Sequence, residues 1–142
     1  TNFAPVVYGG QAGYIAPSTL GNFTVKPLPY QLQLSSVNAM QLMDINKDGY
    51  IDIVAAGNFF DMLPQFCRLD ASGGQVLIND KKGRFVYVPV TKSGLNLYGQ
   101  IRDIVSFKFK NEMHVLFLWN NDFPVLYKLN ENQYRLSTST NE

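Results

Sequence analysis

Hydrophobic and polar residues along this chain follow strand periodicity, with no sustained helical spacing. AMQLMD, from Ala39, sets Met40 and Leu42 on one face against Gln41 and Met43, and after DINKDGY comes IDIVAAG, an apolar run too short for a helix. Two strands joined by a tight loop predict a hairpin. QVLIN and RFVYVPV flank DKKG, whose Asp and Gly suit a hairpin turn, which predicts a second. The order then recurs as GQIRDIVSFKF, a KNE turn, MHVLFLWNN, PVLYKL, an NEN turn and QYRLS. Four strands follow four strands.

The recurrence has a register. IVAAGN (53–58) lies against LFLWNN (116–121) with every pair 63 positions apart, which sets Asp44 opposite Phe107. Val76 with Val125 and Phe85 with Tyr134 are each 49 apart. The difference, 63 − 49 = 14, equals the excess of the 17 residues at 59–75 over the three at 122–124. NFTVKP (22–27) reads like RFVYVP (84–89), with VVY (6–8) in the place of VLI (76–78), so a partial third copy precedes the other two.

The expected fold is all-β, built of tandem four-stranded antiparallel blades of β-propeller type. The divisions are a partial blade at 1–38 and blades at 39–90 and 95–138. A ring takes about four to eight blades, so two and a half leave the propeller incomplete. A β-sandwich with accidental self-similarity is the alternative. Unclosed sheets expose strand edges, with MHVLFLW as a long apolar one, and self-association through such edges is expected.

Composition narrows the function. With 46% hydrophobic and 16% charged residues in 142, the chain can bury a core, and no bulk disorder is expected. Twelve Lys+Arg against eleven Asp+Glu give a net charge of +1, too little for a general nucleic-acid binder. One Cys and one His leave no intrachain disulfide and no Cys- or His-based zinc cluster. No apolar run is long enough to cross a membrane as a helix, so no membrane insertion is expected. TNFAPVVYGG lacks the zones of a signal peptide, and Thr1 in place of Met is expected of a mature or trimmed fragment.

One motif carries specific chemistry. Asp44, Asn46 and Asp48 place oxygen side chains at positions 1, 3 and 5 of a tight loop, and Gly49 allows the bend. The Tyr50 carbonyl and Asp52 at position 9 complete a cage of hard oxygens. An EF-hand would need Glu where Ala55 stands, and helices on both sides. The reading is a Ca2+-binding hairpin turn; a metal-free Asx-Gly turn is the alternative. At an offset of 63 the ligand positions become Phe107, Phe109, Asn111 and Val115, so the last module is expected to hold no ion.

DINKDGYIDIVAAGN followed by VLINDKKGRF resembles the FG-GAP/VCBS repeat of integrin-α propellers and many secreted bacterial proteins. The longer stretch 28–104 is similar to bacterial surface proteins related to cartilage acidic protein. The resemblance implies propeller blades, Ca2+ on Asp44, Asn46, Asp48, the Tyr50 carbonyl and Asp52, an extracellular or cell-surface location, and no catalytic residues.

Recognition is expected from the insertion at 59–75. Its Phe59, Phe60, Phe66, Arg68 and Asp70 could form an aromatic and charged contact surface for a protein or glycan, or cover the neighbouring blade. Cys67 reads as a buried small residue, Trp119 as a core residue at a strand end, and His114 as a surface histidine beside a turn. The favoured function is a non-catalytic binding or scaffold module. The alternative is part of a polysaccharide-active propeller enzyme.

Overall fold

The computed structural model describes residues 13–19, 21–33, 36–58, 73–130 and 135–138, with backbone alone at 18–19 and 135–138. The described chain is all-β apart from a 3-10 turn at Tyr30–Gln33 and a single helical turn, α1, at Val90–Ser93. Strands β5 (Val37–Met43), β6 (Asp52–Gly57), β7 (Gln75–Asn79) and β8 (Phe85–Val88) form one open antiparallel sheet in chain order. Strands β9 (Ile101–Phe109), β10 (Glu112–Trp119), β11 (Val125–Asn130) and β12 (Arg135–Thr138) form a second. Both four-strand sets read from the sequence are present. The segment 22–27 does not make one strand like 84–89. It splits into β3 (Asn22–Phe23), paired with β2 (Ser18–Thr19), and β4 (Lys26–Pro27), paired with β1 (Tyr14–Ile15).

The two sheets are equivalent, but in a register different from that read in the sequence. Each first hairpin carries an irregularity near its base, with Asn38 the extra residue on β5 and Arg102 on β9, which are 64 apart. Each second strand ends on the same backbone bond, Asn58 N–H to Ser36 O at 3.0 Å and Asn120 N–H to Gln100 O at 2.9 Å. Asn58 and Asn120 are 62 apart. The ladders carry this onward, so that Leu77 corresponds to Tyr127, 50 apart, and Phe85 to Leu136, 51 apart. The offsets of 63 and 49 are therefore each off by a residue or two. A one-residue slip exchanges the two faces of a strand.

The corrected register shows how the sheets stack. One buried cluster joins Ala39, Met43, Val54, Ala56 and Val76 of the first sheet to Ile104, Val115, Phe117, Tyr127 and Leu129 of the second. Val115, Phe117 and Tyr127 correspond to Ile53, Ala55 and Leu77, which lie on the opposite face of the first sheet, in a second cluster with Leu32. The front of the first sheet thus meets the back of the second. The back of the first is covered by Ile15, Leu28 and Leu32. Every residue of β6 is buried as a result, and each fully buried side chain such as Leu77 or Phe117 contributes about 1.5–3 kcal/mol.

The connector between the sheets fills the space between them. Gly94, with φ 69°, ends α1, and Leu95 and Leu97 then enter the main cluster. Gly74, with φ 83°, lies under both leucines, where a Cβ would come within 2.8 Å of either, so glycine is required on two counts. Asn38 ties the sheets by donating to the Asn58 carbonyl at 2.9 Å and to the Ile101 carbonyl at 3.1 Å.

The expected apolar edge is corrected: β10, which contains MHVLFLW, is an inner strand paired on both sides. Among the described residues the edges of the two four-stranded sheets are β5, β8, β9 and β12. Among the described residues nothing packs over the front face of the second sheet, where Val105 and Phe107 are exposed and Leu116, Leu118 and Leu126 half-buried.

Candidate functional site

The loop 44–51 opens from the last pair of the first hairpin, Met43 with Asp52. Its apolar residue Ile45 is 1% exposed and sits in the main core, which anchors the loop and turns its neighbours outward. Lys47 at φ 58° and Gly49 at φ 86° make the bends.

The oxygen side chains turn inward on the loop's own backbone. Asp44 accepts from Asp48 N–H at 3.1 Å and from Gly49 N–H at 2.8 Å. Asn46 Oδ1 accepts from the same Asp48 N–H at 3.1 Å, while its amide donates to Asp48 Oδ2 at 3.0 Å. Asp48 Oδ1 accepts from Tyr50 N–H at 3.0 Å. Side chains here supply the acceptors that a strand partner supplies elsewhere. Lys81, from the turn after β7, approaches Asp48 Oδ2 at 3.3 Å and lies 5.6 Å from the Tyr50 ring centroid.

Asp52 is 0% exposed. Its Oδ2 accepts from Ile45 N–H at 2.9 Å and its Oδ1 from Asn79 N–H at 2.8 Å, so one carboxylate closes the loop and ties it to β7. Desolvation pushes its carboxyl above the ordinary range, and the two N–H donors oppose that rise. At Asp48 partial desolvation also raises the carboxyl, but the Tyr50 N–H, the Asn46 amide and Lys81 outweigh it and hold it below the usual range.

The structure brings Asp44, Asn46, Asp48 and Tyr50 together in the loop, with Asp52 at its base. It adds Asn79 and Lys81, which sequence reasoning did not place at the loop. The signal for both was the second hairpin, since β6–β7 pairing carries the DKKG turn to the same end of the sheet as the acidic loop. Among the described residues no group of three acidic, His or Cys side chains forms a preformed metal cage. The equivalent hairpin end in the second sheet carries no oxygen set of this kind. There Lys110 and Asn111, with φ of 46° and 68°, form a two-residue turn.

His114 is corrected from a surface position to a buried one, 7% exposed. It stacks on its cross-strand partner Phe107, with ring centroids 5.7 Å apart, and meets Phe109 edge-on at 6.2 Å. Trp119 is half-buried at a strand end, edge-on to Phe117, and donates its indole N–H to the Tyr98 carbonyl at 2.6 Å. Phe59, Phe60, Phe66, Arg68 and Asp70, together with Cys67, lie outside the described residues. Comparison with family models, curated proteins and solved structures returns no match for the chain.

Proposed function

We propose that the chain is a Ca2+-binding module of β-propeller type that acts as a non-catalytic scaffold or binding unit for a glycan or protein at the cell surface. The observation that carries the reading is the front-to-back stacking of two equivalent four-stranded sheets. That is the relation between successive blades, whereas a simple sandwich pairs inner faces. The FG-GAP/VCBS resemblance of 39–88 supports it independently.

The donor chemistry of the loop suits a hard cation. Asp44, Asn46, Asp48, Asp52 and the Tyr50 carbonyl would hold Ca2+, which would supply the positive charge that Lys81 now brings to Asp48. Each carboxylate oxygen has two lone pairs, so an oxygen that accepts one N–H keeps capacity for an ion.

The test is binding to a glycan array and to immobilised extracellular-matrix proteins, in Ca2+ and in EDTA. Binding that EDTA abolishes and Ca2+ restores is expected. Binding indifferent to EDTA would remove Ca2+ from the function. Turnover of any arrayed polysaccharide would replace the scaffold reading with the enzymatic one.

A further inference from the structure

A groove of about 740 Å³ runs between the segment after β4 and strand β8, on the side of the first sheet away from the second. Its volume falls in the range of small-molecule sites. Leu28, Phe85 and Tyr87 form apolar walls continuous with the second core cluster, and Tyr30, 67% exposed, stands at the margin. Among the described residues no acidic side chain lines it, whereas Lys26 and Arg84 both do.

The two cations differ in how they are held. Lys26 donates to the Lys82 carbonyl at 2.9 Å, which fixes the ammonium and leaves two of its three N–H donors. Gly83 makes room for it, since a Cβ at that position would lie 2.7 Å from the Lys26 nitrogen. Arg84 makes no ion pair among the described residues, although its charge helps to lower the Asp80 carboxyl.

We propose that this groove binds a small amphipathic anion, a free monocarboxylate with a hydrocarbon or aromatic body. The carboxylate is met by Lys26 and Arg84, and the body lies on Leu28, Phe85 and Tyr87. Apolar walls beside two positive charges, with no acid opposite among the described residues, select for that combination and against a neutral or cationic amphiphile. The groove shares the 80–84 turn with the 44–52 loop, but no residue of that loop lines it, so the proposal would stand if the Ca2+ reading failed.

Decanoate, decyltrimethylammonium and phosphatidylglycerol vesicles are the probes, with amide chemical shifts of the 15N-labelled full chain as the readout. Decanoate is expected to give saturable shifts centred on 26–31 and 83–87. The cationic probe should bind roughly tenfold more weakly or worse, and Arg84→Gln should weaken decanoate by roughly tenfold at an unchanged melting temperature. The contrast between the probes needs no variant, so an unstable Arg84→Gln chain leaves the proposal testable. Equal affinity for the two amphiphiles, shifts centred on the open face at 105–118, or sedimentation with vesicles without decanoate binding would each overturn it.

Discussion

The two first hairpins begin alike and end differently. In the first sheet the last pair, Met43 with Asp52, opens into the eight residues 44–51. In the second the equivalent pair, Phe107 with His114, is followed by two further pairs and a Lys110–Asn111 turn, six residues in all. The position taken by buried Asp52 in one is taken by buried His114 in the other. One end is held by a carboxylate and Asx side chains that satisfy backbone N–H groups, the other by ring stacking and a continued ladder. A hairpin needs its end closed and its polar groups paired, and either chemistry does it.

The sharpest way to break the comparison is at Asp52. Asp52→Ala orphans the buried N–H of Ile45 and the half-buried N–H of Asn79, and is expected to cost about 2–4 kcal/mol in urea unfolding. A loss below about 1 kcal/mol would mean that the carboxylate does not close the loop. Asp52→Asn, which retains an acceptor, should fall between the two.

Ca2+ should separate the ends next. With a Kd on the order of 10⁻⁴–10⁻³ M, a hundredfold excess stabilises the fold by about 2.7 kcal/mol. Calorimetry should show that shift in the parent and in Asn111→Ala, and none in Asp48→Ala. An equal shift in Asp48→Ala would end the assignment.

At the other end, His114→Ala removes the stack on Phe107 and should cost about 1–2 kcal/mol, with no effect on any Ca2+ shift. A larger loss than that of Asp52→Ala would reverse the ranking of the two devices.

The smallest effect is expected at the turn after β7, where Asp80 repeats the carboxylate device in miniature. Its Oδ1 accepts from Arg84 N–H at 2.9 Å and Lys82 N–H at 2.8 Å, and the Arg84 bond is the main reason its carboxyl lies below 3.8. A carboxyl lowered on folding adds stability that is complete above the unfolded value and is lost as pH falls through the folded one. Melting temperature should therefore drop on acidification below 3.8, and Asp80→Asn should flatten part of that slope. An unchanged slope would show that the turn is indifferent to this charge.

Much of this was legible in the chain. QVLIN is β7 residue for residue, DKKG is its turn, and the Lys-Asn turn falls within KNE. The acidic loop was legible because Asp, Asn and Gly at alternating positions have few local conformations that satisfy them. The register was not. Asn120 and Asn121 stand in tandem, so Asn58 aligns with either, and LFLW and VLFL are equally apolar partners for IVAA. Periodicity of two leaves such slips invisible until a ladder is formed.

The sequence alone determined the eight strands of the two four-stranded sheets, the turns at 80–83 and 110–111 and the oxygen set at 44–52, because each depends on residues close in the chain. Tertiary structure decided which face of each strand is buried, that His114 is covered by the Phe107 and Phe109 rings, that Asn79 and Lys81 come to the acidic loop, and that Lys26 and Arg84 share one groove. These depend on contacts between segments far apart in the chain. Two repeats of equal hydrophobicity align at either offset until the bulges at Asn38 and Arg102 and the packing of Leu95 and Leu97 fix one.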